Sequence, residues 1–202
     1  MKLYYTATSP YARKVLIVLH ELGLSEQVSL EFLRPSPMSA DPVLSSVNPL
    51  NKIPTLVTEA GALYDSPVIC EYLCSLVETQ TLLPKSGAAR WQTLRLQALA
   101  DGIMDSAILV FYERMQRPKE LHWAPWIDGQ TQKALQGLDA LEQEITQFEG
   151  TCELGQISAA AGLGWMLFRD VLGDIRTTRP RLFHWYDQFA QRPSMVRTVP
   201  SA

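Results

Sequence analysis

Strand-like patterns in this 202-residue chain all fall before Asp65, and beyond it the apolar residues recur only at helical spacing. That segregation points to an α/β segment followed by an all-helical one. Residues 3–6 read as a short buried strand. Ser9 and Pro10 then supply the N-cap and first helical position of a helix. Tyr11, Val15, Val18, Leu19 and Leu22 give it one apolar face, and Gly23 stands where a helix end takes a residue with positive φ. Val28, Leu30 and Phe32 alternate with Ser29, Glu31 and Leu33, so a second strand completes a right-handed, parallel βαβ unit. The Pro- and Ser-rich stretch 34–51 has room for one short helix at 41–47. Residues 55–58 and 62–64, separated by Glu59, Ala60 and Gly61, read as an antiparallel hairpin. Ser66 and Pro67 repeat the N-cap and proline signature and open a helix through Val68, Ile69, Tyr72 and Leu73.

Residues 78–87, with Pro84 and Gly87, read as a linker between an N-terminal domain at 1–77 and a C-terminal domain at 88–202. The second domain begins with a helix from Trp91 through Leu94 and Ala98 to Met115. Ile127, Thr131, Ala134, Leu138, Leu141 and Ile145 mark a second amphipathic helix. The Ala- and Gly-rich stretch 158–172 has little polar face, which places it at the centre of the domain. Leu182, Phe183, Tyr186 and Phe189 define a last helix at 180–191.

Composition sets further bounds. A net charge of −3 lacks the Lys and Arg surplus that phosphate neutralisation requires, so no nucleic-acid partner is expected. The longest aliphatic run, Val15 to Leu19, is far short of the ~20 residues of a membrane span, and the first ten residues lack a signal-peptide core. The expectation is a soluble, cytoplasmic protein without membrane association. Cys70, Cys74 and Cys152 are read as reduced, buried thiols. His20, His122 and His184 stand too far off in sequence to join them, so no metal site is expected.

Three places carry candidate chemistry. Ser9 presents a hydroxyl at a helix N-terminus, where free N–H groups and the helix dipole stabilise an anion such as a thiolate, although Ser is equally a preferred cap. Pro54, in Asn51-Lys52-Ile53-Pro54-Thr55, precedes a strand; a cis peptide there would aim the N–H and C=O of Ile53 at a peptide-like ligand. Asp65 and Ser66 open a helix, where Ser66 can take a carboxylate and Asp65 an ammonium, or where both simply cap and solvate.

Ser-Pro-Tyr-Ala-Arg-Lys-Val at 9–15, Asn-Pro-Leu-Asn-Lys-Ile-Pro-Thr-Leu at 48–56 and Leu-Tyr-Asp-Ser-Pro-Val-Ile-Cys-Glu-Tyr-Leu at 63–73 together resemble the glutathione-site segments of the glutathione transferase family. Leu-Ala-Asp-Gly-Ile-Met-Asp at 99–105 and Arg-Pro-Ser-Met near the end are similar to its helical-domain sequences. The resemblance implies a thioredoxin-like N-terminal domain, an all-helical C-terminal domain, and a homodimer that uses glutathione as co-substrate in detoxifying conjugation. It assigns Ser9 the catalytic position and gives the cysteinyl unit of glutathione to Ile53, with Pro54 as the cis-proline. Asp65 and Ser66 receive the γ-glutamyl end and Lys52 the glycyl carboxylate. Asp101 matches an acid that in some classes crosses the dimer interface to the glutamyl amine. Tyr11, Met104, Ile108 and Trp165 are candidates for the wall of a second-substrate pocket, or helix core.

Three departures from the family pattern stand out. Asn51 replaces a frequent Gly. Ser158 is followed by Ala159, Ala160 and Ala161, without the Asp of the usual capping pair, so the central helix is expected to start less stably by about 0.5–2 kcal/mol. Ser9 stands where redox branches carry Cys, and a hydroxyl cannot form a mixed disulfide.

The implied reaction is attack of the glutathione thiolate on an electrophilic, mostly apolar small molecule. Tyr5, or Tyr4 on the opposite strand face, is the rival donor to sulfur. A non-catalytic binding or regulatory protein on the same scaffold is the alternative of a different class, and a glutathione-dependent reductase or isomerase is a further one.

Overall fold

Four strands form one mixed sheet in the order β2-β1-β3-β4: β1 (Lys2–Tyr5), β2 (Ser29–Phe32), β3 (Thr55–Thr58) and β4 (Gly61–Leu63). The computed structural model describes residues 1–148, 150 and 152–200; residues 149 and 151 and the last two of the expected 88–202 domain lie outside them. β1 runs parallel to β2 with Leu3 opposite Leu30, and antiparallel to β3 with Leu3 opposite Leu56. The hairpin sets Leu63 of β4 opposite Leu56. With helices α1 (Pro10–Glu21), α2 (Pro42–Ser45) and α3 (Ser66–Ser75), the chain builds the thioredoxin-like domain expected from its sequence.

Local chemistry explains these elements. The Ser9 hydroxyl accepts the Ala12 N–H at 3.2 Å, Pro10 fills the first helical position, and Gly23 (φ 68°) ends α1. The Leu24 N–H reaches back to the Leu19 carbonyl at 2.9 Å to close that end. β2 is the sheet's outer edge, so its alternation marks a strand while Leu30 and Phe32 remain about half exposed, at 48% and 49%. α2 is shorter than the 41–47 expected; Asp41 caps it by accepting the Leu44 N–H at 3.0 Å. At α3 the expected cap moves back one residue. Asp65 is the extended N-cap, Ser66 is the first helical residue, and Pro67 falls second, where its missing N–H is still one of the helix's free donors.

The remainder is helical: α4 (Gly87–Met115), α5 (Ala124–Glu144), α6 (Leu154–Arg169), α7 (Pro180–Phe189) and α8 (Pro193–Arg197). α7 stops two residues before the expected end, and Pro193 starts a separate one-turn helix that sequence reading missed. α6 lies at the centre as expected, buried from Leu154 to Met166, between α4 and α1. Its glycines permit that approach. A Cβ on Gly155 would stand 2.8 Å from Leu96 Cβ of α4, and one on Gly164 would stand 2.3 Å from Arg13 Nη1 of α1.

The expected weak start of this helix is corrected. α6 begins at Leu154, four residues before Ser158, with a complete capping box. The Glu153 side chain accepts the Gln156 N–H, and the Gln156 side chain accepts the Glu153 N–H at 3.1 Å. Glu153 also accepts the hydroxyl of buried Thr93 on α4, which fixes the cap to its neighbour. A longer acid and amide thus replace the Ser or Thr and Asp of the familiar pair, and Ser158 lies inside the helix, fully buried.

Candidate active site

The sheet register brings the three candidate segments to one end. Tyr4 pairs with Thr55 and Leu63 with Leu56, so the exit of β1 toward Ser9, the entry to β3 at Pro54 and the exit of β4 toward Asp65 lie side by side. Ser9 is half-buried at the N-terminus of α1. Its oxygen accepts an amide hydrogen, so its own proton remains free to donate outward.

The loop before β3 is held by its own polar groups. Buried Asn48 donates through Nδ2 to the Lys52 carbonyl at 3.0 Å and to Thr55 Oγ1 at 2.9 Å. Its Oδ1 accepts the Leu50 N–H at 3.0 Å. Asn51 adopts φ 53°, a left-handed conformation that Asn, like Gly, tolerates. Its side chain locks onto α2, donating to the Asp41 carbonyl and accepting the Asp41 N–H. The replacement of Gly by Asn is thereby accounted for. The Ile53–Pro54 peptide is cis; Ile53 is half-buried, and the Lys52 side chain is exposed. Across the sheet end, Asp65 is exposed and makes no side-chain cap, leaving the first turn of α3 with its N–H groups uncapped around buried Ser66.

Asp101 lies on α4 against its own chain. Lys14 of α1, fully buried, donates to both carboxylate oxygens at 2.7 Å. Burial pushes the Asp101 carboxyl above the usual range, Lys14 pulls it down, and the charges of Asp105 and Asp65 push it up. Tyr11 donates its hydroxyl to Asp105, and burial together with that carboxylate raises its pKa, so it stays a phenol committed to Asp105. Tyr5 packs edge-on against Phe32, with ring centres 6.0 Å apart. Met104 is fully buried against α6, Trp165 is 3% exposed, and Ile108 is half-buried. Burial also pushes the thiols of Cys70, Cys74 and Cys152 up to about 12, which keeps them protonated and unreactive. Among the described residues no group of three or more His, Cys, Asp or Glu is placed to hold a metal ion.

A family model for the N-terminal domain of glutathione S-transferases matches residues 8–76, the segment that holds all three places. The GST-like protein YibF of Escherichia coli K12 is 34% identical over 204 residues, covering 99% of this chain and 98% of that protein. The chain belongs to the glutathione transferase family. A crystal structure of a glutathione transferase family member from Pseudomonas fluorescens Pf-5 with bound glutathione is 42% identical, with a TM-score of 0.97 over 100% of this chain and 99% of that one. A second structure from the same organism, with bound S-(propanoic acid)-glutathione, is 41% identical, with a TM-score of 0.92 and 99% of both chains covered.

This transferase-family chain also carries site groups that sequence reading passed over. Asn48 shapes the loop through its three bonds, and an Asn just before a turn is the signal for it in the sequence. Asp105 was one acid among several on α4, and its contact with Tyr11 depends on how α1 crosses α4. Phe111 stands edge-on to Trp165 at 5.7 Å and beside Tyr112 at 5.9 Å. The Phe111–Trp165 contact joins α4 to α6 and leaves no periodic trace that separates it from core packing.

Proposed function

We propose that this chain binds glutathione at the sheet end bearing Ser9, Ile53, Asp65 and Ser66, and transfers its thiolate to an electrophilic carbon of a mostly apolar small molecule. The observation that carries this reading is the Ser9 hydroxyl, which accepts an amide hydrogen from within α1 and has its proton free for an incoming sulfur. A free thiol has a pKa of about 8.5. Hydrogen bonds from Ser9 and the positive end of α1 favour the anion near neutral pH without a proton-abstracting base. The thiolate then forms the C–S bond while the leaving group departs with its electron pair. The uncapped first turn of α3 suits the γ-glutamyl carboxylate, Asp65 its ammonium, and exposed Lys52 the glycyl carboxylate. Glutathione and S-(propanoic acid)-glutathione in relatives 42% and 41% identical support both the ligand and a conjugating reaction.

The reading includes a cytoplasmic homodimer. No helix among the described residues is long and apolar enough to cross a membrane. Val68 on α3 and Trp91 on α4, 47% and 68% exposed, supply apolar surface for a second copy. The functional test is retention on immobilised glutathione followed by conjugation of 1-chloro-2,4-dinitrobenzene. Retention with turnover is expected; retention without turnover would make the chain a binding protein. Sedimentation at micromolar concentration is expected to give twice the 22.7 kDa chain mass, and a lone 22.7 kDa species would refute the dimer.

A further inference from the structure

One cation beside the expected second-substrate pocket is held against aromatic rings yet makes no ion pair among the described residues. Arg169, on the last turn of α6, sets its guanidinium carbon 5.0 Å from the ring centre of Phe111 and 4.8 Å from that of Phe168. Its Nε is buried and has no hydrogen-bond partner. Three other arginines of the helical domain do have acceptors. Arg179 pairs with Asp139 at 2.7 Å, Arg192 with Glu21 at 2.8 Å, and Arg114 donates to the Val171 carbonyl at 2.9 Å. No ion pair among the described residues includes Arg169.

Contact with aromatic faces stabilises a guanidinium through the ring quadrupole but uses none of its five N–H donors. A buried N–H without an acceptor is costly, and a planar fork held between rings is preorganised for a carboxylate. The neighbours place that fork relative to the thiol site. Phe111, under the guanidinium, meets Trp165, one turn before Arg169 on α6, and adjoins Tyr112. Tyr11, two residues after Ser9, donates to Asp105, which stands two turns before Tyr112 on the same face of α4. An aromatic wall therefore leads from the start of α1 to an unpaired cation.

We propose that Arg169 recognises the second substrate, and that this substrate is an aryl carboxylate whose flat body lies along Tyr112 and Phe111 with its carboxylate on the guanidinium. The inference rests on the conjugation reading and specifies its substrate class. With 4-chloro-3-nitrobenzoate, sulfur bonds to the ring carbon, chloride leaves with the bonding pair, and the carboxylate is unchanged.

The test compares kcat/KM for this acid and for neutral 4-chloro-3-nitrobenzamide, in the wild type and in Arg169→Gln and Arg169→Lys. The acid-to-amide ratio is expected to fall about 10- to 100-fold in Arg169→Gln, because a charge-assisted bond is lost, and to recover partly in Arg169→Lys. Forming the ratio cancels the different intrinsic reactivities, and calorimetric glutathione affinity reports whether each variant is folded. An unchanged ratio would overturn the proposal. If the wild type turns over neither compound nor 1-chloro-2,4-dinitrobenzene, the conjugation reading fails. Calorimetry with S-(4-carboxy-2-nitrophenyl)glutathione and its amide then decides for Arg169. A preference for the carboxylate that Arg169→Gln abolishes upholds its role, and no preference, or no binding of either, rejects it.

Discussion

A serine at a helix start has two uses, and the geometry at Ser9 permits both together, since its oxygen caps Ala12 while its proton stays available. Ser9→Ala is therefore expected to lower conjugation at pH 7 and to move the rate's pH dependence alkaline, toward the free-thiol pKa of about 8.5. Glutathione affinity should change far less, because the other contacts remain. A pH series of rates with thiolate absorbance read in parallel checks this, and coincident profiles would assign the thiol to Tyr5 or to backbone N–H groups. At Asp101 a different dependence is expected. Lys14 is fully buried and both its short bonds go to this carboxylate, so Asp101→Ala strands a buried ammonium at a cost of about 3–5 kcal/mol. Urea unfolding without ligand isolates that loss from any effect on glutathione. That Ser9, Ile53, Asp65 and Ser66 gather at one end of the sheet was legible because each sits at a strand or helix end marked by Pro. The partners of Asp101 and Tyr11 were not, because spacing along α4 does not reveal which face α1 meets.

Element types and order were readable for the same reason that boundaries were less so: periodicity belongs to many residues and a boundary to one or two. The start of α6 is the clearest case. The apolar pattern suggested Ser158, while the helix begins where Glu153 and Gln156 exchange bonds, using residue types that a search for Ser, Thr and Asp does not find. α8 escaped notice because five residues carry too little periodicity. Glycine shows how element packing overrides propensity. On the exposed face of α5, a Cβ at Gly129 meets nothing, so Gly129→Ala is expected to stabilise by about 0.5–1 kcal/mol. At Gly155 the same methyl would stand 2.8 Å from Leu96 Cβ, close to a backbone that cannot step aside, so Gly155→Ala is expected to cost about 1–3 kcal/mol despite its better propensity. Paired thermal melts check the opposite signs. A stabilising shift at Gly155 would mean that α4 and α6 have more room between them than their contact allows, and a destabilising one at Gly129 would refute the propensity argument.

The whole molecule is held together at the far end of α1 as well as at its N-terminus. Arg13 of α1, buried among C-terminal elements, donates to the Met195 carbonyl at 3.3 Å, and Glu21 accepts from Arg192 at 2.8 and 3.0 Å and from the Ser194 hydroxyl. Thus the helix that carries Ser9 is clamped to α8 of the second domain. The Arg192 hydrogen bond, together with Ser194, holds the Glu21 carboxyl below its ordinary value near 4.5, against the opposing effect of burial. A carboxylate favoured in the folded state binds fewer protons there than in the unfolded chain, so stability rises with pH across its titration. The contribution is complete above the unfolded pKa and is lost as pH falls through the lower folded one. Glu21→Gln removes the ionisation and keeps the shape. Wild type should exceed this variant in urea midpoint at pH 7, and the gap should narrow once pH drops below about 4.5, where the unfolded carboxyl begins to bind its proton. Raising salt should shrink the pH 7 gap only modestly, because Glu21 is largely shielded from solvent. A gap that stays constant from pH 7 to pH 3.5 would show that Glu21 is not held ionised, and that α1 is tied to the C-terminal segment mainly through Arg13 and apolar packing.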